Sequence, residues 1–230
     1  MKTLLAAVAL SAAPALAMPS EIHAEYRLTN NGLTIGHVEE SFVRRGDTYR
    51  ISSVSRAEGL LKMLYDEQIT MESAGRIVDG NLQPLTFMER RVKDPKRGVN
   101  AVFDWEQGVL QSQSTKGETS LVPLPRETQD RISMMYQFMN MPTQKGTFTI
   151  LMSNGRKVEH YSYRMVDEVR IKTPAGEFDT FHFERVTYNP KESRAEVWLA
   201  KERDNFPVKV VFDDPRGLRL EQDLVAIQSR

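Results

Sequence analysis

Residues 23–36, HAEYRLTNNGLTIG, decide how this chain folds. Ala24, Tyr26 and Leu28 alternate with His23, Glu25 and Arg27, the period of two that gives a strand one apolar and one wet face. Asn30-Asn31-Gly32 then breaks the alternation with residues that tolerate the positive φ of a tight hairpin turn. Residues 33–44 read as the return strand, Gly46-Asp47 as the next turn and residues 48–55 as a third strand. The chain has begun a meander.

The pattern continues outward from this hairpin. Strands are expected over 66–74, 85–92, 100–105, 109–114 and 119–122, and again over 147–152, 157–165, 169–172, 177–186, 194–200, 208–212 and 218–227. Turn residues such as Asp79-Gly80-Asn81, Ser153-Asn154-Gly155 and Asp213-Asp214-Pro215-Arg216-Gly217 separate them. The connections are too short for parallel crossovers, so the sheet should be antiparallel. With about fourteen strands a single sheet must curl or split. The expected fold class is therefore mainly β: one long, strongly curved antiparallel sheet, a half-barrel or β-spiral, around a mid-chain helix.

Two segments read as helical. Residues 57–64 are short and weakened by Gly59. Residues 128–139 are better, with Ile132, Met135, Tyr136 and Met139 at helical spacing and Met134 and Phe138 widening the apolar face. Glu127 and Asp130 favour the start of this helix, and Pro142 lies just past its end. A helix near 128–140 would plug the concave face of one domain spanning 18–230. No repeat of fixed period argues for a propeller or solenoid.

The first residues address the chain to a compartment. Lys2 precedes an apolar run from Leu4 to Ala13, and Ala15-Leu16-Ala17 forms a small-residue cleavage site, the pattern of a signal peptide over 1–17. The run is shorter than the roughly 20 residues that span a bilayer. The expected location is the periplasm, with no membrane-spanning segment. Cysteine is absent, so no disulfide forms and no cysteine follows the leader to carry a lipid. The 31 basic and 31 acidic residues balance, which offers no basic field for nucleic acid. One local basic run, Arg90-Arg91-Val92-Lys93-Asp94-Pro95-Lys96-Arg97, reads as a hairpin tip with solvated charges in preference to an anion site.

No catalytic pattern stands out. His23, His37, His160 and His182 are scattered, and His182 with Glu184 offers only two donors on one strand face, so neither a metal nor another cofactor is expected. There is no G-x-S-x-G elbow and no thiol nucleophile. Adjacent carboxylates such as Asp213-Asp214 and Asp66-Glu67 sit beside turns, where solvation accounts for them. Methionine supplies the remaining clue: Met63, Met71, Met88, Met134, Met135, Met139, Met141 and Met152 suit irregular cores or adaptable apolar binding surfaces. The helix is then a packed core element or a lid over a lipid-sized groove. Candidate groove residues are Ile132, Met135, Tyr136, Phe138 and Met139, together with Trp198, a bulky anchor beside Leu199 near an inner face.

Several stretches share a family likeness. They are residues 173–180 (TPAGEFDT), 196–200 (EVWLA) followed by 206–210 (FPVKV), 217–224 (GLRLEQDL), and the helix residues 130–136 (DRISMMY). Together they resemble the periplasmic family known as domain of unknown function 3108. The resemblance implies a long antiparallel sheet coiled around a helix, similar in outline to half-barrel envelope proteins, some of which carry lipids or lipoproteins. It implies no substrate and no catalytic residues. The expected function is a non-enzymatic envelope protein that holds an apolar or amphipathic ligand, such as a lipid, in its concave face. The alternatives are an envelope-integrity scaffold acting through protein contacts and, last, a hydrolase of an envelope polymer.

Overall fold

In a computed structural model, residues 19–64, 66–140 and 143–230 are described. The leader over 1–17, Met141 and Pro142 fall outside them. The strands are β1 (Glu21–Asn30), β2 (Leu33–Arg45), β3 (Thr48–Ala57), β4 (Gln68–Val78), β5 (Asn81–Arg91), β6 (Val99–Asp104), β7 (Val109–Ser114), β8 (Thr119–Pro123), β9 (Gln129–Asp130), β10 (Thr147–Ser153), β11 (Val158–Thr173), β12 (Gly176–Arg185), β13 (Arg194–Ala200), β14 (Phe206–Asp213) and β15 (Arg219–Ser229), with a short helix, α1 (Gly59–Leu64), after β3. They form one sheet in the order β8-β7-β6-β5-β4-β3-β2-β1-β15-β14-β13-β12-β11-β10-β9. The central pair is β1 (Glu21–Asn30) with β15 (Arg219–Ser229), so the chain starts in the middle of the sheet, runs to one edge, jumps and returns from the other.

The opening hairpin forms as its sequence dictates. In β1, Ile22, Ala24 and Tyr26 are buried while His23, Glu25 and Arg27 are exposed. Asn31 (φ 49°) and Gly32 (φ 79°) make the turn to β2 (Leu33–Arg45), both in the left-handed region that suits a two-residue hairpin loop. Asp79 (φ 51°) and Gly80 (φ 79°) repeat the device between β4 (Gln68–Val78) and β5 (Asn81–Arg91).

Two expected strands, over 157–165 and 169–172, are one sixteen-residue strand, β11 (Val158–Thr173). It carries a register shift between Met165 and Asp167 where the alternation had broken. One strand was not foreseen. Gln129–Asp130 (β9) pairs parallel with β10 (Thr147–Ser153), matching Met152 to Gln129 and Ser153 to Asp130. The helical segment is correspondingly shorter than 128–140: α2 runs Ser133–Gln137 and continues as a 3-10 turn, Phe138–Asn140. Asp130 explains the late start. Its Oδ1 accepts the backbone N–H groups of Ile132 (3.0 Å) and Ser133 (2.8 Å), capping a turn ahead of the helix.

The chain itself shows that the sheet curls. β8 (Thr119–Pro123) and β9 are its opposite ends, yet only residues 124–128 connect them. Six residue steps reach about 20 Å at most. The sheet is open rather than closed: β9 meets β5, on which the Gln129 Nε2 amide donates to the Leu82 carbonyl (2.7 Å). The turn between β10 and β11 docks against the same wall, and a Cβ on Gly155 would come within 2.9 Å of Val99 Cγ1 and 3.2 Å of Phe87 Cδ1. One end of the sheet is therefore tucked inside the other, as in a spiral.

Helix α2 sits within the coil and divides its interior. One core gathers Ile22, Phe42, Ile51, Phe87, Tyr136, Phe206 and Leu224. The other gathers Phe138, Ile150, Tyr163, Phe183, Val197 and Leu199. Tyr136 stacks on Phe42 (centroids 5.1 Å apart) and meets Phe206 edge-on, whereas Phe138 meets Tyr163 edge-on at 5.0 Å.

Candidate functional site

The β5 side of α2 is pinned by polar contacts. Gln137 Nε2 donates to Asn81 Oδ1 (2.6 Å), the Leu82 N–H donates to Gln137 Oε1 (3.2 Å), and Asn140 Nδ2 donates to the Gly80 carbonyl (2.8 Å). Beneath the helix start lies a buried hydrogen-bonded chain. The Tyr49 hydroxyl meets Ser73 Oγ (3.1 Å), which donates to Asp130 Oδ2 (2.5 Å). Burial pushes the Asp130 carboxyl up to about 6, although its hydrogen bonds from Ser133, Ser73 and Ile132 pull the other way. Burial also pushes Glu40, which accepts a hydrogen bond from Ser53 Oγ (3.3 Å), up to about 7. The buried Tyr136 hydroxyl is directed at Glu40 but lacks a partner of good hydrogen-bond geometry.

On its other side the helix borders a groove of about 350 Å³. Met134, Met135 and Phe138 form one wall, Met152, Tyr161 and Tyr163 another, and Val197, Val210 and Phe212 the floor. These side chains converge from α2, β10, β11, β13 (Arg194–Ala200) and β14 (Phe206–Asp213). Arg185 closes one end, its guanidinium 3.9 Å over the Tyr161 ring and its Nε buried without a hydrogen-bond partner. A larger cavity of about 650 Å³ lies at the seam between β5 and β10. Its lining mixes apolar residues, Leu82, Trp105, Phe148 and Ile150 among them, with Asp79, Arg126, Glu127 and several amides.

Of the residues expected to line a groove, Met135 and Phe138 do so. Ile132 and Tyr136 are sealed in the first core at 3% and 1% exposure, and Met139 packs against that core as well. Trp198 is corrected more sharply. Val197 and Leu199 point into the second core, so alternation turns Trp198 away from that core and from this groove, and it packs, half-buried, against the first core. There it stacks on His182 with ring centroids 4.3 Å apart.

Beside Trp198 lies a cluster of titratable groups around His182. His182 Nδ1 lies 3.1 Å from Asp167 Oδ1, and Nε2 lies 3.0 Å from Glu196 Oε2. Glu184 joins them, so the third donor missing from the sequence reading comes from β13, the neighbouring strand. Among the described residues this is the histidine–carboxylate group whose donor atoms lie within 4.8 Å of one another. Both ring nitrogens already face carboxylates and the ring is stacked on Trp198. A cation would have to displace the Glu196 contact.

The basic run is a solvated tip, with Arg90, Lys93, Lys96 and Arg97 exposed, and part of it also borders a cavity. Arg91, Lys96 and Arg97 line a cavity of about 300 Å³ together with Arg131, Asn154 and Arg156. The carboxyl of Glu89, 3% exposed, pairs with Arg91 Nε (2.6 Å) and Arg131 Nη1 (3.0 Å). Arg156 Nη2 donates to the carbonyls of Arg97 (2.8 Å) and Gly98 (2.7 Å). The run supplies three of the five cations, and no local sequence signal joins Arg131 and Arg156 to it.

Comparison with other proteins agrees with this architecture. The "Beta-barrel-like Protein of Domain of Unknown Function DUF1849" from Brucella abortus superposes with a TM-score of 0.61 at 12% identity, covering 92% of this chain and 98% of that one. A protein described as exported, with a YmcC-like fold, from Bacteroides fragilis reaches 0.39 at 13% identity, over 92% and 96% of the two chains. One described as a lipoprotein, from Parabacteroides distasonis, reaches 0.37 at 9% identity, over the same shares. No curated protein matches the chain. The first of these shares the fold alone. Over residues 25–223, the sequence matches the family described as "Protein of unknown function (DUF3108)", and the chain belongs to that family.

Proposed function

We propose that this is an exported, periplasmic, non-enzymatic protein that binds a single-chain amphipathic ligand in the groove between α2 and strands β10–β14. The observation that carries the reading is the groove's lining: three methionines, aromatic rings and aliphatic side chains around about 350 Å³. That volume lies toward the small end of ligand pockets, which suits one apolar chain better than two. Methionine side chains adapt to a flexible chain at little cost. Export rests on the leader-like residues 1–17. Among the described residues no helix is long and apolar enough to cross a membrane.

The test is displacement of a fluorescent fatty-acid probe from the purified protein. Ala195, which lines the groove, replaced by tryptophan should abolish probe binding while leaving the circular dichroism unchanged. Probe binding that survives Ala195→Trp, or never occurs, would overturn the reading.

A second reading, an envelope scaffold, draws on β8. This edge strand is largely exposed, with Leu121 at 64%, and its outer edge is open to strand addition by a partner. Crosslinking through position 121 in periplasm should then capture one dominant protein, and a diffuse pattern would count against it.

A further inference from the structure

We infer that the basic cavity beside the groove is an anion subsite, and that the amphiphile held by this protein carries a phosphate or carboxylate head. The inference rests on the proposed groove and adds the chemistry of the head group to it.

The two cavities are contiguous. Arg131 and Asn154 line both, so they stand at the junction between an apolar trough and a cationic chamber. Five cations surround that chamber and one carboxylate, Glu89, accompanies them. Glu89 cannot neutralise the set. It occupies one side of Arg91 and Arg131, and a carboxylate so deeply buried serves to aim their guanidinium groups. Lys96 and Arg97 have no carboxylate partner among the described residues. Asn154 spends its Oδ1 on the N–H groups of Arg156 and Lys157, which leaves its amide Nδ2 to donate toward a ligand.

The chamber is also built, not merely gathered. The 154–157 turn that carries Asn154 and Arg156 is wedged against Val99 and Phe87, where Gly155 (φ 85°) leaves no room for a Cβ. Arg156 then ties this turn to the carbonyls of Arg97 and Gly98, which fixes one side of the chamber against the β5–β6 connection. Guanidinium forks suit the planar or tetrahedral oxygens of carboxylate and phosphate. A head group bound here would place its attached chain past Arg131 onto Met134 and Met152. Like charges held this close are costly without a counter-charge, and an anionic head supplies one.

Three probes separate the possibilities on the full chain: a monoacyl phosphatidic acid, a monoacylglycerol of equal chain length, and inorganic phosphate. The expected result is that the anionic lipid binds on the order of tenfold or more tighter than the neutral one, the difference expected for charge-assisted hydrogen bonds. The advantage should shrink as salt is raised. Lys96→Glu with Arg97→Glu should erase it and leave the neutral lipid's affinity unchanged, since neither side chain supports the fold. Equal binding of charged and neutral lipids would sink the anion subsite while leaving the groove intact. Binding of neither lipid would sink the groove as well. Inorganic phosphate binding as tightly as the lipid would overturn the coupling between chamber and groove.

Discussion

The five residues of α2 are divided between two opposite environments. Tyr136 faces the core that joins β1–β7 to β14 and β15 and is fully enclosed, stacked on Phe42 and braced by Phe206. Met134 and Met135 face the half built from β10–β14 and remain partly open, along a groove that protein atoms do not fill. A short helix can therefore be a plug for one half and a wall for the other. The enclosed side fixes its position, which is what lets the open side keep a defined shape without being filled. The hydrogen bonds of Gln137 and Asn140 to the β4–β5 turn belong to the enclosed side, so any swinging of the helix would have to break them.

The largest test of this contrast is Tyr136→Ala. Removing a fully buried aromatic side chain costs about 3–5 kcal/mol. Urea unfolding should show that loss, and a loss below about 1 kcal/mol would mean the enclosed side is not the anchor. Tyr136→Phe provides the control. The hydroxyl has no partner of good geometry, so its removal should be neutral or slightly stabilising.

The next test is pH. In the unfolded chain Asp130 titrates near 4, but in the folded chain its pKa lies at about 6 because it is buried. Between those values the folded state holds a proton that the unfolded state has released, so stability falls as pH rises from about 4 to about 6. A shift of two units corresponds to roughly 3 kcal/mol. Glu40 contributes in the same direction, up to about 7. The carboxyls lowered by their partners, Glu39, Asp214 and Glu221 among them, act oppositely but only below the ordinary carboxylate range. Urea midpoints at pH 4.5 and 7.5 should differ less for Asp130→Asn than for the natural chain, with Glu40 leaving a residual slope. An unchanged difference would remove the Tyr49–Ser73–Asp130 chain as its source.

Much of the enclosed side was legible in the sequence and little of the open side was. Strand alternation and the Asn31-Gly32 and Asp79-Gly80 turns specify local geometry, and local chemistry reports it faithfully. Helical spacing likewise selected Tyr136 and Phe138. It overextended the helix to residue 128, because Gln129 and Asp130 gain more from pairing with β10 and from Asp130's cap than from another helical turn. Trp198 was misplaced because adjacent strand residues face opposite ways, and apolar character alone does not say which face is which. The basic chamber was visible only in part, as the run that supplies Arg91, Lys96 and Arg97. Its residues, Arg97, Arg131 and Arg156, meet only when the sheet has coiled far enough to bring β9–β11 against β5–β6.

Gly155→Ala probes that coiling. The substitution puts a Cβ 2.9 Å from Val99 Cγ1 at a backbone φ of 85°, so both contact and conformation oppose it. A loss of about 1–3 kcal/mol is expected by urea unfolding, together with weaker binding of the anionic lipid as Arg156 is pushed away from Arg97. Unchanged stability would mean that the two ends of the sheet are not in close contact.

Met134→Ala should have the smallest effect on stability and a disproportionate effect on binding. The side chain is partly buried and lines the groove rather than filling a sealed core, so its removal leaves no closed cavity. The expected cost to folding is about 1 kcal/mol or less, well below that of Tyr136→Ala. Fatty-acid probe affinity should fall nonetheless, because Met134 presents apolar surface to the ligand that the folded protein does not otherwise use. If Met134→Ala proved as destabilising as Tyr136→Ala, the groove would be part of the packed core and both sides of the helix would serve as plugs. A small folding cost paired with lost probe binding would place the functional surface on the side of α2 that the sheet leaves unfilled.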